Sequence, residues 1–249
     1  TQLAAVNTAT IIAALADIGT EGGVLQLPPG TIDVTGSAIT VSNPTIIQGM
    51  GQAQTYLRVD GAGYALQFTS TRCQVHDLGF YHVGTVQAST GAIRIGDQAG
   101  LIKLERLYFP ADTYWYRNID HAGAAADIRI RDCIFNGAVD ADIFLDQPDD
   151  ASNPGGDGII TDCTFSAAVT QPYAIRQSSY GSIRIHNCKF LGYDIPIYLN
   201  LRAHTNPSDG SNGFYVTGGS LEGFGTAAFK VLRAAGTATQ ADCLISGAE

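Results

Sequence analysis

Charge is scarce in this sequence: Asp, Glu, Lys and Arg make up 15% of its 249 residues, and the acidic side chains outnumber the basic ones by 23 to 14. A net charge of −9 repels a phosphate backbone, so nucleic acid is not expected as a partner. No apolar run approaches the ~18 residues that cross a bilayer, so no membrane partner is expected either. No basic-then-apolar secretion segment opens the chain. Helical periodicity is missing outside the first residues, while Ile, Val, Thr, Tyr and Phe are plentiful, which favours strands. The five cysteines, Cys73, Cys133, Cys163, Cys188 and Cys243, form no CxxC pair, and their gaps match no zinc spacing. A GxSxG nucleophile phrase is absent.

What the chain does have is repetition. "IRIRDCIFNG" (128–137), "IITDCTFSAA" (159–168) and "IRIHNCKFLG" (183–192) are versions of one phrase. Earlier and later copies extend the set to anchors at Phe80, Phe109, Phe135, Phe165, Phe190, Leu221 and Ile245, spaced by 29, 26, 30, 25, 31 and 24 residues. A sustained period of that size signals a solenoid. Within each phrase the apolar residues alternate, slip phase at a polar step, and alternate again. That is the pattern of two short strands joined by a turn. A further strand phrase accompanies each anchor: "YALQF" (64–68), "AIRI" (92–95), "DIFL" (142–145), "YAIRQ" (173–177), "IPIYL" (195–199) and "FKVL" (229–232).

A single coil cannot bury its own inward row, so each coil must repeat its neighbour's pattern. Leu78, Leu107, Cys133, Cys163, Cys188 and Cys243 are therefore expected on one interior ladder, with Cys73 in the row of Ile102, Ile128 and Ile183. Stacked cysteines have parallel Cβ directions, so they are read as free thiols in the core. Asp77, Asp132, Asp162, Asn187 and Asp242 occupy the polar step, where short polar side chains tolerate unusual φ. At the start, "NTATIIAALADIG" (7–19) puts Ile11, Ile12, Leu15 and Ile18 on one helical face, with Asn7 or Thr8 as N-cap and Gly19 as the stop. Such a helix would plug the open end of the solenoid. The fold expected is an all-β, single-stranded right-handed parallel β-helix with an N-terminal capping α-helix: residues 1–20 form the cap and 21–249 the β-helix, one domain overall.

The helix, then "GGVLQLPPGTIDV" (22–34), then "IIQGMG" (46–51), then the "IRIxxCxFxG" repeats resemble the pectate-lyase-like right-handed parallel β-helix family over essentially the whole chain. The resemblance implies the fold firmly and the activity weakly. The family includes pectin-degrading enzymes, sugar epimerases and the trimeric spikes of tailed bacteriophages that bind and often cut surface polysaccharide. "YDIPIYLNLR" (193–202) has the proline of the lyase arginine phrase but no arginine before it. "NID" (118–120) and "DD" (149–150) match two polygalacturonase phrases, but GHG is absent and "RIH" (184–186) lacks the lysine.

Candidate site residues follow from the repeat. Asp120, Asp146, Arg176 and Asn200 are expected on one outer line with neighbours one coil apart, about 5 Å, the carboxyl separation of retaining glycosidases. Asp120 and Asp146 would then serve as acid and nucleophile, while Arg176 and Arg202 would hold a uronate or sulfate. Tyr114, Trp115, Tyr116, Tyr173, Tyr180 and Tyr198 are expected to offer rings for stacking on sugars. No cofactor is required, and calcium is the one ion suggested, either at the row of polar steps or at the acidic loop 146–158. The expected protein is a phage or phage-like spike that binds, and in one version depolymerises, bacterial surface polysaccharide. The resemblance implies residence in the virion as a homotrimer or against other virion proteins; no capping helix follows "CLISGAE" (243–249), so the last coil is expected to meet another chain or a missing domain. The alternatives are a secreted polysaccharide lyase or glycoside hydrolase, and a non-catalytic adaptor of a virion.

Overall fold

The computed structural model describes residues 2–96, 100–111, 115–122, 127–146, 157–178, 182–201, 212–233 and 241–247. One helix, Gln2–Ile18, precedes a parallel β-solenoid. From the middle coils onward each turn gives two short strands to the first sheet and one to the second. Ile128–Arg131, Ile134–Phe135 and Ala141–Asp146 are followed by Gly158–Thr161, Thr164–Gln171 and Tyr173–Gln177, and each strand pairs in parallel with its successor. Among the described residues the first sheet has 15 strands and the second has 8.

The inward rows follow the repeat. Phe80, Phe109, Phe135, Phe165 and Phe190 are buried and stack at centroid separations of 5.4, 4.8, 4.7 and 4.8 Å, with planes within 10°. Cys133, Cys163 and Cys188 are buried free thiols, each directed at the carbonyl two residues back at 3.2–3.4 Å. Thiol–thiol contact and burial push Cys163 and Cys188 far above the ordinary thiol range, so they behave as core apolar groups.

The phase slip in each phrase has a backbone cause. Asp77, Arg106, Asp132, Asp162 and Asn187 have φ of 60, 50, 53, 55 and 51°, and Gly218 and Gly247 continue the row at 67 and 64°. The left-handed residue turns the chain between the two strands, and Asp or Asn tolerates that conformation best among non-glycine residues. Neighbouring steps also bond to each other: the Asn187 amide donates to Asp162 at 2.7 Å, and Arg106 forks onto Asp77 at 2.7 and 2.8 Å. The Arg106 bonds, more than burial opposes, pull the Asp77 carboxyl down to about 2.

Several expectations need correction. Asp242 and Cys243 pair with Gly213 and Phe214, so Cys243 joins the row of Ile183 and Cys73 rather than the row of Cys188. Likewise Ile245 stands against Val216, not Leu221, and Gly247 takes the polar step. The cause is physical: a small apolar Cys suits any inward position, so its identity does not mark a row. The helix, meanwhile, begins at Gln2, which puts Asn7 and Thr8 inside it. Asn7 donates to the Asp33 carbonyl at 3.1 Å and Thr8 Oγ1 accepts from the Thr35 amide at 2.8 Å, fastening the helix to the first coil. Ile11 and Leu15 are buried there, but Ile12 is 43% exposed.

Two stability measurements check this packing. Phe135→Ala, in the middle of the aromatic stack, should lose about 3–5 kcal/mol in denaturant unfolding. Asn187→Val should lose about 1–2 kcal/mol, and more than Asn187→Gly, because a β-branched residue resists the left-handed conformation.

Candidate functional site

The second sheet carries a group of polar and aromatic side chains set in register. Its strands bring Gln67, Arg94, Asp120, Phe144, Arg176, Tyr198 and Lys230 into one register row along the solenoid axis. In sequence each of the last six follows an inward Ile or Phe (Ile93, Ile119, Ile143, Ile175, Ile197, Phe229), so alternation turns them outward. Beside this row runs a second: Tyr64, Gly91, Arg117, Ala141 and Tyr173.

Arg117 organises the centre. Its Nε donates to Asp140 at 2.8 Å, its Nη1 donates to Asp120 at 3.1 Å, and its guanidinium lies 3.4 Å from the Phe144 ring centroid. Arg176 donates to the other Asp140 oxygen at 2.8 Å and faces the rings of Phe144 and Tyr173 at 5.2 and 5.6 Å. Tyr64 reaches across a coil to donate its hydroxyl to Asp120 at 2.5 Å. Gly91 makes that reach possible, because a Cβ there would lie 2.5 Å from the Tyr64 ring. Burial first, and then the Asp120 bond, raise the Tyr64 phenol, which stays a donor at any ordinary pH. Burial opposes the Arg117 charge, but Asp140 and Asp120 more than offset it and raise its pKa.

The expected catalytic line is out of register. Asp120 stands against Phe144, and Asp146 stands against Ala122, so the two carboxylates are not direct neighbours on adjacent coils. Outward positions recur every second residue, so an offset of two residues preserves the hydrophobic pattern and changes who faces whom. Asp120 is only 4% exposed, and both its oxygens are held. Arg176 does occupy the outer row, 34% exposed in its side chain, between Phe144 and Tyr198.

Of the expected stacking rings, Tyr173 and Tyr198 are half-buried and meet at 5.0 Å on the outer face. Tyr116 is half-buried, with Arg117 5.3 Å from its ring centre. Trp115 corrects the expectation: it is fully buried in the core, 5.0 Å from the His82 ring, and offers no outer platform. Tyr114, Tyr180 and Arg202 lie outside the described residues, as does most of the acidic loop. Among the described residues, no group of three or more His, Cys, Asp or Glu is placed to hold a metal. Tyr64, Arg94, Arg117, Asp140 and Phe144 were not singled out by sequence reasoning. For Arg94 and Phe144 the available signal was the residue after the inward Ile in "AIRI" and "DIFL"; Tyr64, Arg117 and Asp140 carried no such mark.

Beneath this face Asp142 is completely buried, with bonds from Asn118 and from the Tyr193 hydroxyl, both also buried. Burial, working against those bonds, pushes its carboxyl up to about 7 from 3.8. Between those pH values the folded chain keeps a proton that the unfolded chain has released, so this group's stabilising contribution declines as pH rises and the decline ends above about 7. Unfolding midpoints measured across that range should fall with pH through this term, and Asp142→Asn should flatten the fall.

No protein-family model and no characterised sequence matches the chain. Its fold is similar to solved pectin methylesterases. PemA from Erwinia chrysanthemi gives a TM-score of 0.60 at 12% identity over 95% of this chain and 87% of that one. The rice weevil enzyme gives 0.62 at 11%, over 97% and 85%. A tailspike protein of the Acinetobacter baumannii bacteriophage Fri1, a capsular polysaccharide depolymerase, gives 0.58 at 14%, covering 96% of this chain but 45% of the tailspike chain. These likenesses are of fold, and the chain is a right-handed parallel β-helix, as expected.

Proposed function

We propose that the chain is a spike-type β-helix that binds an acidic bacterial surface polysaccharide along the outer face of its second sheet. The observation that carries this reading is the axial row in which Arg94, Arg176 and Lys230 are set among Phe144 and Tyr198. Successive coils advance by about 4.8 Å, close to the length of one pyranose, so a glycan lying along the axis would meet the accessible Arg94, Arg176, Tyr198 and Lys230 and pass over the covered Asp120 and Phe144. Cations would take its carboxylates or sulfates, while Tyr173 and Tyr198 would meet the apolar faces of its sugars. On a chain of net charge −9 this strip is where an acidic polymer finds local attraction.

Asp120 and Asp140 serve in this reading to hold Arg117 and Arg176 in place, since their oxygens are already taken by guanidinium and phenol donors. The likeness to a phage tailspike and to pectin methylesterases supports a polysaccharide ligand. A phage particle is the setting proposed, with the chain acting as a homotrimer.

Retention on immobilised polygalacturonate against neutral dextran tests the reading. Wild-type chain should prefer the polyanion and lose it as salt is raised, and Arg176→Ala should weaken binding about tenfold. Equal retention of wild type and variant, or indifference to salt, overturns it. Light scattering should report a trimer, and a reducing-end assay on the same polymer should show no cleavage.

A further inference from the structure

A second group of rings stands on the first sheet, in the coils nearest the helix. Tyr56, Gly79 and Tyr108 share one outward row, and Tyr81 stands against Arg58 in the next. All three tyrosines are half-buried. A Cβ at Gly79 would come within 2.2 Å of the Tyr56 ring, so the glycine is what lets that ring lie down on the sheet. Tyr56 and Tyr81 meet at 4.7 Å with planes inclined by 62°. Burial first, then the nearness of Tyr81 and Tyr108, raise the Tyr56 phenol, consistent with three phenols in one patch.

Arg58, which stands against Tyr81, also opens onto a cleft beside the helix. Arg58 forks onto Asp33 at 2.5 and 2.9 Å, and both side chains line a cavity of about 210 Å³ with Asp60, Val83, Val34 and Ala4 of the helix. We infer that this corner is a second carbohydrate site, distinct from the strip on the second sheet, which takes one terminal or branch pyranose of a glycan. The chemistry argues for a sugar: a ring face to cover apolar C–H groups, a planar Arg–Asp fork and the Asp60 carboxylate to bond hydroxyls. The volume is below the ≈300 Å³ at which drug-sized pockets begin, which suits a single sugar ring. A cross-strand tyrosine pair that merely stiffens the sheet requires neither the cleft nor the charged fork beside it.

Binding of the full chain to a glycan array decides the matter. Tyr81→Ala and Arg58→Ala should each lower the signal on the recognised glycans by about fivefold, while Tyr81→Phe keeps the ring and stays within about twofold. Residual binding left by Arg176→Ala should vanish when Tyr81→Ala is added. Wild-type signal in both Tyr81→Ala and Arg58→Ala, or an array on which wild type binds nothing, overturns the site. Circular dichroism melts report whether each variant is folded; if Tyr81→Ala is not, the exposed Arg58 variant decides alone. Loss that follows Tyr81 but ignores Arg176 would keep this site and overturn the strip, so the two readings fail separately.

Discussion

Parallel stacking of each coil on the one before is the interaction on which the rest of this molecule depends. Backbone pairing holds neighbouring strands at a constant separation, so a side chain at one position always meets the side chain at the same position of the next coil. The lumen is therefore filled by rows rather than by an irregular jigsaw: five phenyl rings in near-parallel stack and three thiols in line. A chain with few charges and many short apolar phrases can fold this way because every phrase is buried by its neighbours, not by distant partners.

The same constraint acts on the outside, with a different consequence. Residues on an outer face are brought together at one per coil whether or not they suit each other. Compatible chemistry must be written into every turn. At the centre of the second sheet it is: a guanidinium lies on Phe144, two carboxylates hold two arginines, and a tyrosine crosses a glycine to complete the set. On the first sheet Gly79 clears a seat for Tyr56 in the same manner as Gly91 does for Tyr64. In both places a missing side chain in one coil lets a ring from another lie flat, which is how a ruled surface acquires local shape.

Buried polarity marks where the rows are interrupted. Asp142, Asn118 and Tyr193 form a closed hydrogen-bonded group within the solenoid, just under the strip. A carboxyl so placed is kept close to neutrality in charge by burial and satisfied by its two donors, which is the arrangement a low-polarity interior tolerates.

Much of this was legible in the sequence. The period, the inward Phe and Cys rows from Phe80 to Phe190, the polar step and the N-terminal helix all follow from alternation and from the tolerance of Asp and Asn for left-handed φ. Trp115 was misjudged because a ring in an aromatic-rich run reads equally well as core or surface. Cys243 was placed in the wrong row because a small apolar residue fits every inward position. Within the strands, the sequence by itself determined which residues of the repeated phrases face in and which face out, because that property has a period of two along the chain. Only the tertiary structure decided that Asp120 meets Phe144, Tyr64 and Arg117 rather than Asp146, because register between coils depends on how many residues each turn spends at its corners, and a shift of two residues leaves the local pattern unchanged.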